Sequence, residues 1–412
     1  MMKWTLTILC LLPWLSSAFA VPRMSLPAGS PCATCHYNPS GAGGRNEVGF
    51  GAMSATGAFS FDTFHDNMFW DDRISAGLDT RMLWIRLGRP ALQLDDRGRE
   101  VTTEPDFVGF PMQFQPSLAV TLTDWLRVYG TYNAGRRTFE DNRVCDPVYP
   151  GASCFEAAIQ AETKGGYTTR IGMIQASIGV RPDDHTIWTR GDAANPRQPL
   201  IPPNYAEWGA EFSYQPVASM RTELGVTATH NLDGALNQMV ETAELWPVAL
   251  AARFTYLPQF EVGGAAAPPD DFDDFDDFGD VKKSAKPTKI NTWFGGSVLG
   301  SGEFYLVNGF AAAGLQNGLE TRLELSHSAR SIKHETYNVS VAASWALTDW
   351  FVPHVRADRA LTLADETFTA WQYVAGIEFF PIPFVELRPE YRIVQTDEYV
   401  FGQPTVQLHV FF

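Results

Sequence analysis

The feature that most constrains this chain is a period-two alternation of apolar and polar residues, repeated in strand-length segments from about residue 73 to the end. In Met220–Ala228, Met220, Thr222, Leu224, Val226 and Ala228 share one face, opposite Arg221, Glu223, Gly225 and Thr227. Leu319–Ser326 sets Leu319, Thr321, Leu323 and Leu325 against Glu320, Arg322, Glu324 and Ser326. In Val385–Ile393, Val385, Leu387, Tyr391 and Ile393 oppose Glu386, Arg388, Glu390 and Arg392. Successive strand residues point to opposite sides, so each segment is a ribbon with one oily and one ionic face. A fold built from such ribbons must offer an apolar and a wet environment to the same strand.

Two all-β folds do this. A soluble sandwich puts the apolar face in a core, and a transmembrane barrel turns it to lipid around a polar lumen. The bulk composition suits the barrel, because a mean hydropathy of −0.14 goes with only 19% charged residues. Averaging an oily exterior with a polar lumen gives that pair of values. The last strand alternates Val406, Leu408, Val410 and Phe412 on one face and ends on Phe412, similar to the terminal signal of bacterial outer-membrane proteins. A Leu-Thr-Asp-Trp turn occurs twice, at Leu122–Trp125 and Leu347–Trp350, with tryptophans placed as in interfacial girdles. After residue 20 no apolar stretch approaches the ~18 residues of a membrane helix.

The expected fold is therefore all-β, a transmembrane antiparallel barrel of about sixteen strands, within about fourteen to eighteen. The segments run 73–87, 107–122, 125–136, 154–163, 166–180, 205–215, 218–230, 246–256, 288–299, 303–313, 319–327, 335–347, 350–363, 367–379, 384–395 and 404–412. An even count returns the C-terminus to the N-terminal, periplasmic side. Both Leu-Thr-Asp-Trp turns then fall there, with Lys164–Gly166 and Phe380–Pro383, while 88–106, 137–153 and 181–204 fall outside.

The first twenty residues read as an export signal: Lys3, an apolar stretch from Leu6 to Leu15, and Ala18-Phe19-Ala20 as a small-x-small cleavage site. The mature chain then begins near Val21, carrying four of the five cysteines into an oxidising compartment. Cys145 and Cys154 close a Pro/Gly-rich loop as an expected disulfide. Cys32-Ala33-Thr34-Cys35-His36 is the attachment pattern for a c-type haem: two thiols add across the vinyl groups and the adjacent His ligates iron. A CxxC disulfide or a metal site is the alternative for this pair.

Met24, Met53, His65 and Met68 are the nearby candidates for the second axial ligand, with His65 or Met53 favoured. Arg45, in a glycine-rich Pro39–Asn46 stretch, is a candidate partner for a haem propionate. The organisation read from the sequence is a signal peptide (1–20), a monohaem cytochrome c segment (21–70) and the barrel (71–412). About fifty residues rich in Gly, Ser and Ala cannot enclose a haem alone. The segment is expected to enter the lumen as a plug, neutralised and hydrogen-bonded by charged lumenal residues.

Two loops carry further candidate chemistry. Asp270–Asp280 holds three Asp-Asp-Phe copies and seven of the chain's 47 acidic residues. It reads as a solvated loop or as an acidic docking arm for a basic periplasmic c-type cytochrome. Asp183, Asp184 and His185 offer oxygen and nitrogen donors suited to a divalent metal such as Fe²⁺, though a hydrogen-bonded loop explains them as well. A net charge of −16 argues against a nucleic-acid partner. Hydrolase and transferase constellations are not found, so no catalytic residues are assigned.

In layout, a signal peptide, one Cys-x-x-Cys-His near the mature N-terminus and a porin-like barrel, the chain resembles the fused monohaem cytochrome–porins of the outer membrane, which include outer-membrane iron oxidases. The sharp residue matches are Cys32, Cys35 and His36; the Pro39–Asn46 stretch departs from the iron-oxidase pattern. The resemblance implies electron transfer between an extracellular redox partner, ferrous iron among the options, and a periplasmic carrier through one covalent haem. One haem cannot alone bridge a ~30 Å hydrocarbon core, which again favours a haem placed within the lumen. The alternatives are a porin for small solutes and a barrel sheathing a multihaem cytochrome.

Overall fold

A computed structural model describes residues 35–36, 45, 47–54, 56–59, 69–70, 73–86, 91–94, 100–103, 107–135, 153–180, 191–192, 195–199, 201, 205–236, 243–262, 288–315, 317–331, 334–364, 366–397 and 400–412. Sixteen strands form one closed antiparallel barrel. They are β1 (Ile74–Arg86), β2 (Phe107–Thr123), β3 (Leu126–Tyr132), β4 (Phe155–Glu162), β5 (Tyr167–Ile174), β6 (Glu207–Val217), β7 (Met220–Ala228) and β8 (Val248–Tyr256). The circuit continues with β9 (Thr288–Ser301), β10 (Phe304–Leu315), β11 (Leu319–Ser331), β12 (His334–Trp345), β13 (Phe351–Leu363), β14 (Thr367–Ile382), β15 (Val385–Thr396) and β16 (Val400–Phe411). Each pairs with its sequence neighbours, and β1 closes the ring on β16 with Asp79 opposite Phe411 and Ile85 opposite Thr405.

The alternation sorts the residues inside out relative to a soluble protein. Leu118, Ile159, Ile171, Leu224, Leu250 and Val355 lie on the outer wall, each more than half exposed, whereas Glu211, Glu223, Arg253 and Asp358 are 1–3% exposed inside. That is the polarity of a transmembrane barrel, and it removes the sandwich alternative. The inner wall neutralises itself largely along single strands. Residues i and i+2 share a face, so Arg221 bonds Glu223 at 2.8 Å, Arg356 bonds Asp358 at 2.8 Å and Arg392 bonds Glu390.

All sixteen expected segments are strands, with shifted ends. The largest shift follows β5, which stops at Ile174 rather than at 180. The next six residues fold into the lumen. There the Ser177 backbone N–H donates to Glu211 Oε2 (2.9 Å) and the Gly179 N–H to Ser297 Oγ (2.7 Å). Every residue from Met173 to Val180 is buried, so no lipid-facing half remains to continue a strand. Ala176 and Ile178 pack with Tyr205 and with Leu232 and Leu236 of helix α2 (His230–Leu236) on the inner wall. Sequence periodicity missed α2.

One end of the barrel carries the C-terminus and the tight connections after β2, β4, β6, β10, β12 and β14. This terminal end holds both Leu-Thr-Asp-Trp turns, as parity requires. The longer connections after β1, β3, β5 and β7 lie at the opposite end.

Candidate functional site

The described part of the N-terminal segment sits in the barrel mouth at the terminal end. Cys35 and His36 are both 5% exposed, and His36 forms an antiparallel backbone bridge with Arg45. The chain then enters helix α1 (Glu47–Ser54). A side chain at Gly49 would place its Cβ 2.4 Å from the Cys35 carbonyl oxygen, so the helix packs backbone to backbone on the motif. Phe50 and Met53, three apart, fall on one side of α1.

The barrel provides a matching seat. Phe380, Phe384 and Phe411 are buried and cluster with Phe50 and Met53, flanked by Trp350 and Phe412. Phe50 stacks on Phe384 with ring centres 4.8 Å apart. Phe384 adopts φ 65°, a strained backbone for a bulky residue, in the connection where β14 turns into β15. The Phe411 N–H donates to the Phe384 carbonyl at 2.9 Å, fixing the two rings' strands together. The segment leaves over the rim, where the Ala58 and Phe59 N–H groups donate to the Phe380 and Pro381 carbonyls. Gly57 passes so close that a Cβ would lie 2.9 Å from the Ile382 carbonyl carbon and Pro383 nitrogen.

The docking surface combines an aromatic face with charge, since the lumenal Asp79 acts electrostatically on Arg45. The aromatic part dominates the described contacts, with Arg45 set 4.5 Å from the centre of the Phe411 ring. The reason is local. Lumen-facing positions of β14 and β16 turn from polar (Glu378, Gln407, His409) to aromatic (Phe380, Phe411) where α1 covers them. Two signals in the sequence mark this seat: the Phe50/Met53 spacing, and phenylalanines on the otherwise polar faces of β14 and β16.

Beneath Phe411 lies an ionic group. His409 is 3% exposed, with Nδ1 3.0 Å from Glu386 Oε2 and Nε2 3.0 Å from Asp79 Oδ1. Arg81 lies 3.4 Å from the same Asp79 oxygen. The His409 and Phe411 rings are 4.4 Å apart. A second imidazole, His354, stands 3.1 Å from Glu390 on the neighbouring inner wall.

Of the other candidate residues, Met53 is fully buried within the phenylalanine cluster. Cys154 is disulfide-bonded at the start of β4, and Cys145 lies outside the described residues. Cys32, Met24, His65, Met68, Asp183, Asp184, His185 and Asp270–Asp280 also lie outside them. Among the described residues no group of three or more His, Cys, Asp or Glu side chains is arranged to hold a metal ion. The residues present fit a c-type haem: Cys35 and the imidazole of His36 are buried side by side in the mouth, near a wall of phenylalanines.

Fold and site together define a class, a porin-like transmembrane barrel of sixteen strands with a docked N-terminal segment. No protein-family model and no curated protein matches the sequence. Among solved structures the chain is similar to OprB of Pseudomonas putida at high pH, with 10% identity over 82% of this chain and 94% of that one and a TM-score of 0.49. It is likewise similar to Salmonella typhi OmpF in complex with daunomycin (10% identity, 82% and 97% covered, TM-score 0.48). An anion-selective porin from Comamonas acidovorans gives 10% identity, 82% and 98% covered, and a TM-score of 0.44. No residue role is carried over from these proteins.

Proposed function

We propose that the protein transfers electrons across the bacterial outer membrane through one c-type haem held in the barrel mouth. The observation that carries this reading is the burial of Cys35 and His36 inside the mouth, on a helix-and-phenylalanine seat built by the barrel itself. Cys32 and Cys35 would hold the haem and His36 would ligate its iron, with Met53 or His65 as the candidate second ligand and Arg45 as a candidate propionate partner. The group supplies one-electron chemistry; the chain's own residues bury it, orient it and keep the segment in place.

The terminal end is then periplasmic, and a periplasmic c-type cytochrome exchanges electrons there. The acidic tract Asp270–Asp280 is its docking arm. This arm follows Gln259–Val262, a short exposed strand that pairs with Thr288–Asn291 at the terminal end. Because one haem does not span the ~30 Å core, the extracellular donor or acceptor is a small species, ferrous iron among the options, that reaches the haem through the polar lumen.

A second reading is supported by the sixteen-stranded ring and its polar lumen, the plan of a porin for small solutes. Planar-bilayer conductance of the purified chain separates the two. Electron transfer predicts a closed barrel with a reversible haem spectrum, and His36→Ala loses the redox signal while the barrel assembles. A large steady conductance without haem favours the porin. Several haems per chain in the purified material favour a sheath around a multihaem partner.

A further inference from the structure

The imidazole beneath the seat has a geometry that the docking of the segment does not require. Each ring nitrogen of His409 faces a carboxylate oxygen at 3.0 Å, Glu386 on β15 and Asp79 on β1. A neutral imidazole has one N–H and one acceptor nitrogen, and an ionised carboxylate offers acceptors alone. Both contacts are hydrogen bonds only when three groups share one more proton than neutral imidazole and two carboxylates hold. The cluster therefore stores an exchangeable proton in a site that is 3–6% exposed.

Its surroundings link that proton to the docked segment. Among the described residues the charged groups around His409 are Asp79 and Arg81 from β1, Glu386 from β15 and Arg45 from the N-terminal segment. With His409 protonated, three cations face two anions; with His409 neutral, the five groups balance. Contact runs from His409 to Phe411 at 4.4 Å between rings, from Phe411 to Arg45 at 4.5 Å, and from Arg45 through the backbone bridge to His36. Arg45 also acts electrostatically on Asp79, so charge on the docked segment bears directly on the cluster.

We propose that the Asp79–His409–Glu386 cluster is a redox-linked proton site: the electron that reduces the iron ligated by His36 is accompanied by uptake of one proton at this cluster, and oxidation releases both. The inference rests on the haem reading above and deepens it. Charge balances, because one electron added to the iron is matched by one proton added to the cluster from the lumenal water. The cluster thereby ties electron flow at the periplasmic mouth to local pH.

The test is a redox titration of the purified, haem-loaded full-length protein between pH 5 and 9, following the reversible haem spectrum. In the wild type the midpoint potential falls as pH rises, by up to 59 mV for each tenfold drop in proton activity in a one-electron couple. His409→Gln removes at least half of that pH dependence while leaving the haem spectrum in place. Glu386→Gln, which keeps the imidazole, moves the pH range of the dependence without abolishing it and covers the case in which His409→Gln fails to assemble. Equal pH dependence in wild type and both variants overturns the proton site while leaving the haem reading standing. A wild-type protein without haem removes the haem reading itself, and the inference with it.

Discussion

Arg45 lies with its guanidinium 4.5 Å from the centre of the Phe411 ring, joining the N-terminal segment to the penultimate residue of the chain. Phe411 also stands opposite Asp79 in the register by which β16 closes on β1. The segment that carries the Cys-x-x-Cys-His motif is seated on the last strands of the barrel, and the final strand is covered by the segment.

Removing the seat should release the segment. Phe411→Ala deletes a ring buried to 2% exposure in a cluster of five, a change worth about 3–5 kcal/mol in a packed core. The segment 45–59 should then become sensitive to protease and exchange its amides quickly, while Phe114→Ala on the outer wall leaves both unchanged. Protection that persists in Phe411→Ala would remove the seat from the account.

Gly49 tests the contact between helix and motif. A Gly49→Val side chain would start 2.4 Å from the Cys35 carbonyl oxygen and has backbone, rather than a flexible side chain, in its way. The expected result is a several-fold drop in haem incorporated per chain with normal yield of folded barrel, read by absorbance against heat-modified gel mobility. Unchanged incorporation contradicts the packing described.

The inner wall makes a prediction independent of haem. Arg170 donates to Tyr129 Oη at 3.1 Å and pairs with Glu211, whose other oxygen accepts from Ser177. Arg170→Met leaves Glu211 buried without its cation and should destabilise the barrel by about 3–5 kcal/mol, much of it regained in Arg170→Met/Glu211→Leu. Urea unfolding in lipid vesicles measures both. A single variant as stable as wild type would mean that water reaches this part of the lumen.

The outer wall predicts the opposite response to charge. Ile159 faces outward and Gln160, its neighbour on β4, faces the lumen. Ile159→Arg should cost about 2–4 kcal/mol in a bilayer, and Gln160→Arg markedly less. Equal costs would place β4 outside the membrane.

Much of this was legible in the sequence because lipid and lumen act on alternate residues. Arg221-x-Glu223, Arg356-x-Asp358 and Glu386-x-Arg388-x-Glu390-x-Arg392 each place opposite charges on one face of a strand, and these are the pairs that line the wall. What periodicity could not show depends on contacts distant in sequence. Ala176, Ile178 and Val180 alternate as a strand does, yet they pack in clusters with residues of α2, β8, β9 and β10 inside the lumen. The site is similar. The Cys-x-x-Cys-His pattern is local in the sequence, whereas the seat of Phe380, Phe384 and Phe411 is assembled by the pairing of three successive strands.

The central claim is that this barrel carries a haem in its mouth, and haem per polypeptide in the purified full-length protein tests it most directly. The account predicts one covalently bound haem per chain, retained after denaturation and lost in Cys32→Ala/Cys35→Ala. Wild-type protein that folds as a barrel, from a host competent for c-type haem attachment, and carries none would contradict it.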